Sequence, residues 1–191
     1  MTAGRTPRDV LWDACRRKTC CRTTRVVLTG ADLARLVQAF ELEPVQFAQP
    51  IPVPDGDDGA PGFLLEPYGP PHELVLRKRG ALGPRGAPCT FLVETNDGHA
   101  ACGAGDVRPA VCRAHPGRLE GTVLRVAAGG CDCRRWSLLD LGPEERAQAE
   151  AAANEEERHA GAVRAWNETV RAGAAPRSLD DVCRYLIEAC G

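Results

Sequence analysis

Ten cysteines, at positions 15, 20, 21, 89, 102, 112, 131, 133, 183 and 190, constrain this 191-residue chain more than any other feature. They come in groups: "CRRKTCC" at 15–21, three more between 89 and 112, and "CDC" at 131–133. The opening "MTAGRTPRDVLW" lacks the apolar stretch of a secretory signal, so the expected compartment is the cytoplasm. Thiols there are kept reduced, and a dense cysteine pattern then points to metal binding or catalysis before disulfides. The adjacent pair Cys20–Cys21 suits neither a buried hydrophobe nor a disulfide. Its neighbours Arg16, Arg17, Lys18, Arg22 and Arg25 favour the thiolate form.

Composition excludes several alternatives. A formal net charge of −2 provides no global basic field for nucleic acid. No stretch approaches the roughly 18 consecutive apolar residues of a membrane span, so no membrane partner is expected. Apolar content of 43% and charged content of 26% are those of a globular domain with its own core. Basic residues number 24, yet only Lys18 and Lys78 are lysines, a bias of the whole sequence toward arginine.

Local patterns predict an α+β chain. Residues 25–28 suit a short strand, and Thr29 with Asp32 forms a capping-box variant opening a helix. Leu33, Leu36, Val37 and Phe40 then share one face. Residues 44–62, rich in proline, glycine and acidic side chains, predict a loop without regular structure. "HELVLRKRG" (72–80) alternates as a strand, and "CTFLVETNDGHAAC" (89–102) reads as a β-hairpin with a cysteine at each outer end. Residues 103–118 predict irregular chain, and 121–130 a further strand. After Gly142-Pro143 a long Ala/Glu/Arg helix is expected, with a thin apolar face of Val163, Trp166 and Val170. Ser178 with Asp181 opens a final helix. The expected organisation is a cysteine-cluster metal-binding domain over 1–136, with a C-terminal helical extension over 137–191 packed on it.

A tetrahedral zinc site or an iron–sulfur cluster needs about four thiolate or imidazole ligands brought from different loops. Cysteines at hairpin ends and in short loops can hold such ligands at fixed separation. The spacing matches no zinc-finger pattern, because no pair of Cys-x₂-Cys knuckles occurs.

The segments "CRRKTCC" (15–21), "CTFL" (89–92) and "CGAGDVRPAVCRAHP" (102–116) together resemble the YkgJ-type cysteine-cluster family. That family is described as a zinc- or iron-chelating domain and is distantly related to flagellin lysine N-methylases. Arg108-Pro109, Cys112-Arg113 and Pro116 match its "RP-x-x-CR-x-[FY]-P" box, and Leu28-Thr29 with Asp32-Leu33 match its helix start. The chain departs from the pattern in two places. Ala14 and Arg17 stand where the first two cysteines would align, and His115 stands where the family has an aromatic residue.

The resemblance and the chemistry of the side chains rank Cys20, Cys21, Cys89, Cys102 and Cys112 first as metal ligands, then Cys15, Cys131 and Cys133. His115 is a further candidate. Arg108 and Arg113 are expected to offset thiolate charge from outside the ligand set. One [4Fe–4S] cluster, or one to two mononuclear zinc or iron sites, fit eight cysteines. Cys183 and Cys190 lie on the apolar face of the last helix and are expected in the core. His72, His99 and His159, the run Glu155–Glu157 and the run Arg77-Lys78-Arg79 are expected to be solvated, and Trp136 to shield the site.

The functional expectation is therefore a cytoplasmic protein binding zinc or iron through dispersed thiolates. Two alternatives stand beside it: an iron–sulfur-dependent, methyltransferase-like enzyme acting on a protein or peptide, and a zinc-stabilised module that docks a protein partner. No catalytic residue can be named from the sequence.

Overall fold

Leu28, Leu33 and Leu36 have no solvent-exposed surface, and the helix Gly30–Phe40 buries the latter two. Burial of each leucine contributes about 2 kcal/mol. In the computed structural model, residues 15, 18–53, 62–80, 86–126, 136–173 and 177–191 are described. Their helices are α1 (Cys20–Thr23), α2 (Gly30–Phe40), α3 (Pro44–Phe47), α4 (Ala110–Ala114), α5 (Pro143–Ala172) and α6 (Leu179–Cys190). Their strands are β1 (Ala48–Pro52), β2 (His72–Leu76), β3 (Leu92–Glu94), β4 (Ala100–Cys102), β5 (Gly117–Glu120) and β6 (Val123–Val126). The strands pair as three separate antiparallel ribbons, β1–β2, β3–β4 and β5–β6, so the fold is α+β with short hairpins and C-terminal helices.

Both predicted capping boxes form. Thr29 Oγ1 accepts from the Asp32 amide at 3.1 Å while Asp32 Oδ2 accepts from the Thr29 amide at 2.9 Å. Ser178 and Asp181 repeat the arrangement at α6. The hairpin over 89–102 also forms, with Leu92 opposite Cys102 and Gly98 (φ 81°) in its turn. Cys102 ends β4, whereas Cys89 lies outside β3 and bridges Lys78 instead.

The proline-rich segment corrects the sequence reading. Residues 44–52 form one helical turn and then β1, paired to β2 from Ala48↔Leu76 to Pro52↔His72. Prolines are tolerated here because Pro50 and Pro52 face Leu74 and His72. The Leu74 carbonyl and the Leu76 amide bond to Leu28 and Val26 on the far side of β2. The two prolines therefore occupy the positions whose N–H would point away from β2. The strand expected at 25–28 reduces to a bridge between Val27 and Val75. Residues 103–118 are more regular than expected, with a 3₁₀ turn at Gly105–Val107 and then α4.

One apolar core joins the cysteine-bearing region to the C-terminal helices. Phe47, Phe63, Leu74 and Leu92 pack in it with Val163, Trp166 and Val170 of α5 and with Val182, Cys183 and Leu186 of α6. Helix α5 also clamps the extended segment before β2. Trp166 Nε1 donates to the Leu64 carbonyl at 2.7 Å, and Asn167 accepts from the Leu64 amide at 2.8 Å and donates to the Gly62 carbonyl at 2.9 Å. Cys183 and Cys190 are buried, as their helical spacing predicts.

Candidate metal centre

The local chain path brings the cysteines in from four segments. Lys18 turns the backbone through the left-handed region (φ 45°). Its carbonyl accepts the Cys21 amide at 2.9 Å, which starts α1 with Cys20 and Cys21 side by side. Cys15 lies before this turn and is buried. The Cys89 amide donates to the Cys21 carbonyl at 2.9 Å, tying the second segment to the first. Cys102 follows on β4, and the Gly103 amide fixes that strand end by donating to the Phe91 carbonyl at 2.7 Å. Cys112 sits in α4, the fourth segment.

Cys20, Cys21, Cys89, Cys102 and Cys112 line a single cavity of about 60 Å³. Its remaining walls include Val26, Leu76, Phe91 and Val111, with Arg108 and His115 among the lining residues. These are the five cysteines that the sequence ranks first. Among the described residues, however, no three His, Cys, Asp or Glu side chains stand in a preformed metal-binding arrangement. The thiols share the cavity without converging on one point.

Electrostatics within the cavity are unequal. The Cys21 thiol bonds to the Cys20 sulfur, which lowers the Cys20 thiol below its ordinary value and raises that of Cys21. Burial pushes the Cys89, Cys102 and Cys112 thiols up, and at Cys112 the charges of Cys21, Cys102 and Cys89 add to this. Bringing the sulfurs together as ligands therefore requires removal of protons that the apolar walls hold in place, the usual coupling of metal binding to proton release. The donor set is all soft sulfur with one imidazole at its edge, a composition that suits zinc, iron–sulfur or other thiophilic centres.

Residues behind the cavity form a second structure that the sequence did not reveal. Asp32, 1% exposed, caps α2 and also accepts the Ala110 amide through Oδ1 at 2.8 Å, holding the first turn of α4 and hence Cys112. Arg35 pairs with Asp32 at 2.5 Å and with Glu155 at 2.7 Å, and Arg113 pairs with Glu155 at 2.8 Å. Burial alone would raise the Glu155 carboxyl, but Arg35 and Arg113 together bring it below the usual carboxylate range. For Asp32, burial dominates and the net direction is upward.

Several expectations of solvated side chains fail here. Glu155 is 8% exposed and bridges two arginines. His159 is 7% exposed, and its Nδ1 accepts the Gly30 amide at 3.3 Å at the start of α2. Burial lowers its pKa to about 4. Arg77 and Lys78 are half-buried and donate to the carbonyls of Ala48 and Cys21, because the strand predicted over 72–80 ends early and these side chains staple the loops around Cys89; Arg79 is exposed as expected and donates to the Leu92 carbonyl. His72 is half-buried against Phe63, while His99 is exposed as expected.

Arg108 lies at the cavity near Cys102, anchored by Nε on the Gly105 carbonyl at 2.7 Å. Cys131 and Cys133 lie outside the described residues. Trp136, the next described residue, packs edge-on to the cavity-lining His115 with ring centroids 6.2 Å apart. Compared with protein-family models, with curated proteins and with solved structures, the chain matches none.

Proposed function

We propose that this chain is a metal-binding protein that holds zinc or iron, the latter as single ions or as a [4Fe–4S] cluster, on the thiolates of Cys20, Cys21, Cys89, Cys102 and Cys112. The observation that carries the reading is the meeting of these five side chains, from four separate segments, around one small cavity with largely apolar walls. Free cysteines in a core usually scatter as small hydrophobes, as Cys183 and Cys190 do. Five thiols exceed the four that a tetrahedral zinc or a cubane cluster takes. The surplus leaves one sulfur of the Cys20–Cys21 pair to support the other by its hydrogen bond. Cys15, buried beside Cys20, and Cys131 and Cys133 complete the candidate set.

When bound, zinc would cross-link the loops, and an iron–sulfur cluster would supply one-electron chemistry. The chain's own residues position the donors: Lys18 turns Cys20 and Cys21 inward, Asp32 fixes the α4 turn that carries Cys112, and Arg108 places positive charge beside Cys102. The resemblance to the YkgJ-type boxes supports the same assignment. Docking of a protein partner by the long helix has less support, because Val163, Trp166 and Val170 are already buried in the core.

Metal analysis of anaerobically purified protein tests the reading, with Cys20→Ser and Cys112→Ser beside wild type. Stoichiometric zinc or iron in wild type, reduced in both variants, is the expected result. Unchanged metal content in both variants would show the ligand assignment to be wrong.

A further inference from the structure

Only two of the 24 basic residues are lysines, and both stand beside Cys21. Lys18 occupies a left-handed backbone position (φ 45°) that glycine enters freely and other residues enter at a cost. Its side chain is nevertheless long, cationic and only 4% exposed. Lys78 arrives from a different element. Its backbone bridges Cys89, and its Nζ donates to the Cys21 carbonyl at 3.1 Å. Lys18 lines a cleft with Cys102 and Arg108, its own carbonyl accepting the Cys21 amide at 2.9 Å, and Lys78 lines a separate cleft with Arg22.

Among the described residues, several carboxylates are met by arginine: Arg22 on Glu94, Arg25 on Glu73, and Arg35 and Arg113 on Glu155. A guanidinium is a planar fork matched to a carboxylate, whereas an ammonium is a compact point charge. A sulfur cluster offers no fork to match. Four thiolates around a divalent ion leave a net negative charge, and in a cavity walled by Val26, Leu76 and Phe91 that charge is costly without a partner.

We propose that Lys18 and Lys78 are the charge partners of the thiolate cluster at Cys21, and that they strengthen metal binding without ligating the metal. They are positioning and charge-balancing residues. The inference rests on the metal-centre reading above.

The test is a cadmium titration of the full-length, metal-stripped protein against a competing chelator, followed by the ultraviolet sulfur-to-cadmium charge-transfer band. Lys18→Met and Lys78→Met should each weaken cadmium binding by about tenfold or more, the usual scale for residues supporting metal ligands. Lys18→Arg and Lys78→Arg keep the charge and should retain clearly more affinity than the methionine variants. Arg164→Met, which removes an exposed charge from α5, should leave binding unchanged. Far-ultraviolet circular dichroism monitors folding; should Lys18→Met misfold, half-buried Lys78 carries the test alone. Wild-type affinity in the methionine variants overturns the proposal. So does equal weakening in the methionine and arginine variants, or in Arg164→Met. If wild type itself shows no sulfur-to-cadmium band, the metal-centre reading falls and this inference falls with it; a band in wild type with unaffected methionine variants defeats this inference alone.

Discussion

Asp32 Oδ1 accepts the backbone amide of Ala110 at 2.8 Å, joining the cap of α2 to the first turn of the helix that carries Cys112. The two residues lie 78 positions apart. The same carboxylate also accepts the Thr29 amide and pairs with Arg35, so one buried side chain serves three donors. Asp32→Ala leaves all three without it in a region closed to water. The expected loss is about 3 kcal/mol or more in urea unfolding of the metal-free protein. Asp32→Asn keeps one acceptor oxygen and should lose about half as much. A loss below about 0.5 kcal/mol for Asp32→Ala, the range of an ordinary surface change, would show that the contact is incidental.

Glu155 and Glu157 separate a buried bridge from a solvated face on the same helix. Glu155→Ala removes the partner of both Arg35 and Arg113 and should cost about 2–4 kcal/mol. Exposed Glu157→Ala should change stability by no more than about 0.5 kcal/mol. Parallel denaturant curves of the two variants check this; equal effects would contradict the buried network.

Gly30 is required by space. A Cβ at this position would stand 2.3 Å from the Leu186 carbonyl oxygen and 2.9 Å from Cys190 Sγ. Because the nearest obstacle is backbone, α2 and α6 must separate to admit a methyl group. Gly30→Ala should destabilise by about 1–3 kcal/mol despite alanine's better helix propensity. Thermal unfolding measures it, and an unchanged or raised midpoint would contradict the observed packing.

His159 gives stability an acid limb. Burial holds its folded-state pKa at about 4 against an ordinary 6.5. As pH falls below 6.5 the unfolded chain takes up a proton that the folded chain refuses. Stability is therefore lost between 6.5 and 4 and is fully present above that window. The loss is on the order of 3 kcal/mol. Glu155, held below its ordinary range, adds a loss at the acid end in the same direction. Stability measured against pH for wild type and His159→Gln isolates the histidine. The variant should show a flatter profile from 6.5 to 4, and an identical slope would refute the assignment.

Local signals in the sequence carried the helices well. The capping pairs Thr29/Asp32 and Ser178/Asp181, and the proline at the start of α5, act within a few residues and form as read. The grouping of Cys20, Cys21, Cys89, Cys102 and Cys112 was legible through the boxes that carry the family resemblance, and the fold brings these five around one cavity. What escaped was long-range pairing. Nothing in the local sequence marks Glu155 off from Glu157, since which face of α5 meets Arg35 depends on packing across 120 residues. The strand at 48–52 was hidden by its prolines, whose tolerance depends on which edge of β2 they meet. Lys78 and His159 look like surface residues until the elements that cover them are in place.

The proposed metal centre is tested most directly by what surrounds any bound zinc or iron. X-ray absorption at the zinc or iron edge of anaerobically purified wild-type protein reads that shell without mutation. The expected result is a sulfur-dominated shell of three or four scatterers at about 2.3 Å. A shell of nitrogen and oxygen alone, or protein that is folded and free of both metals, would contradict it.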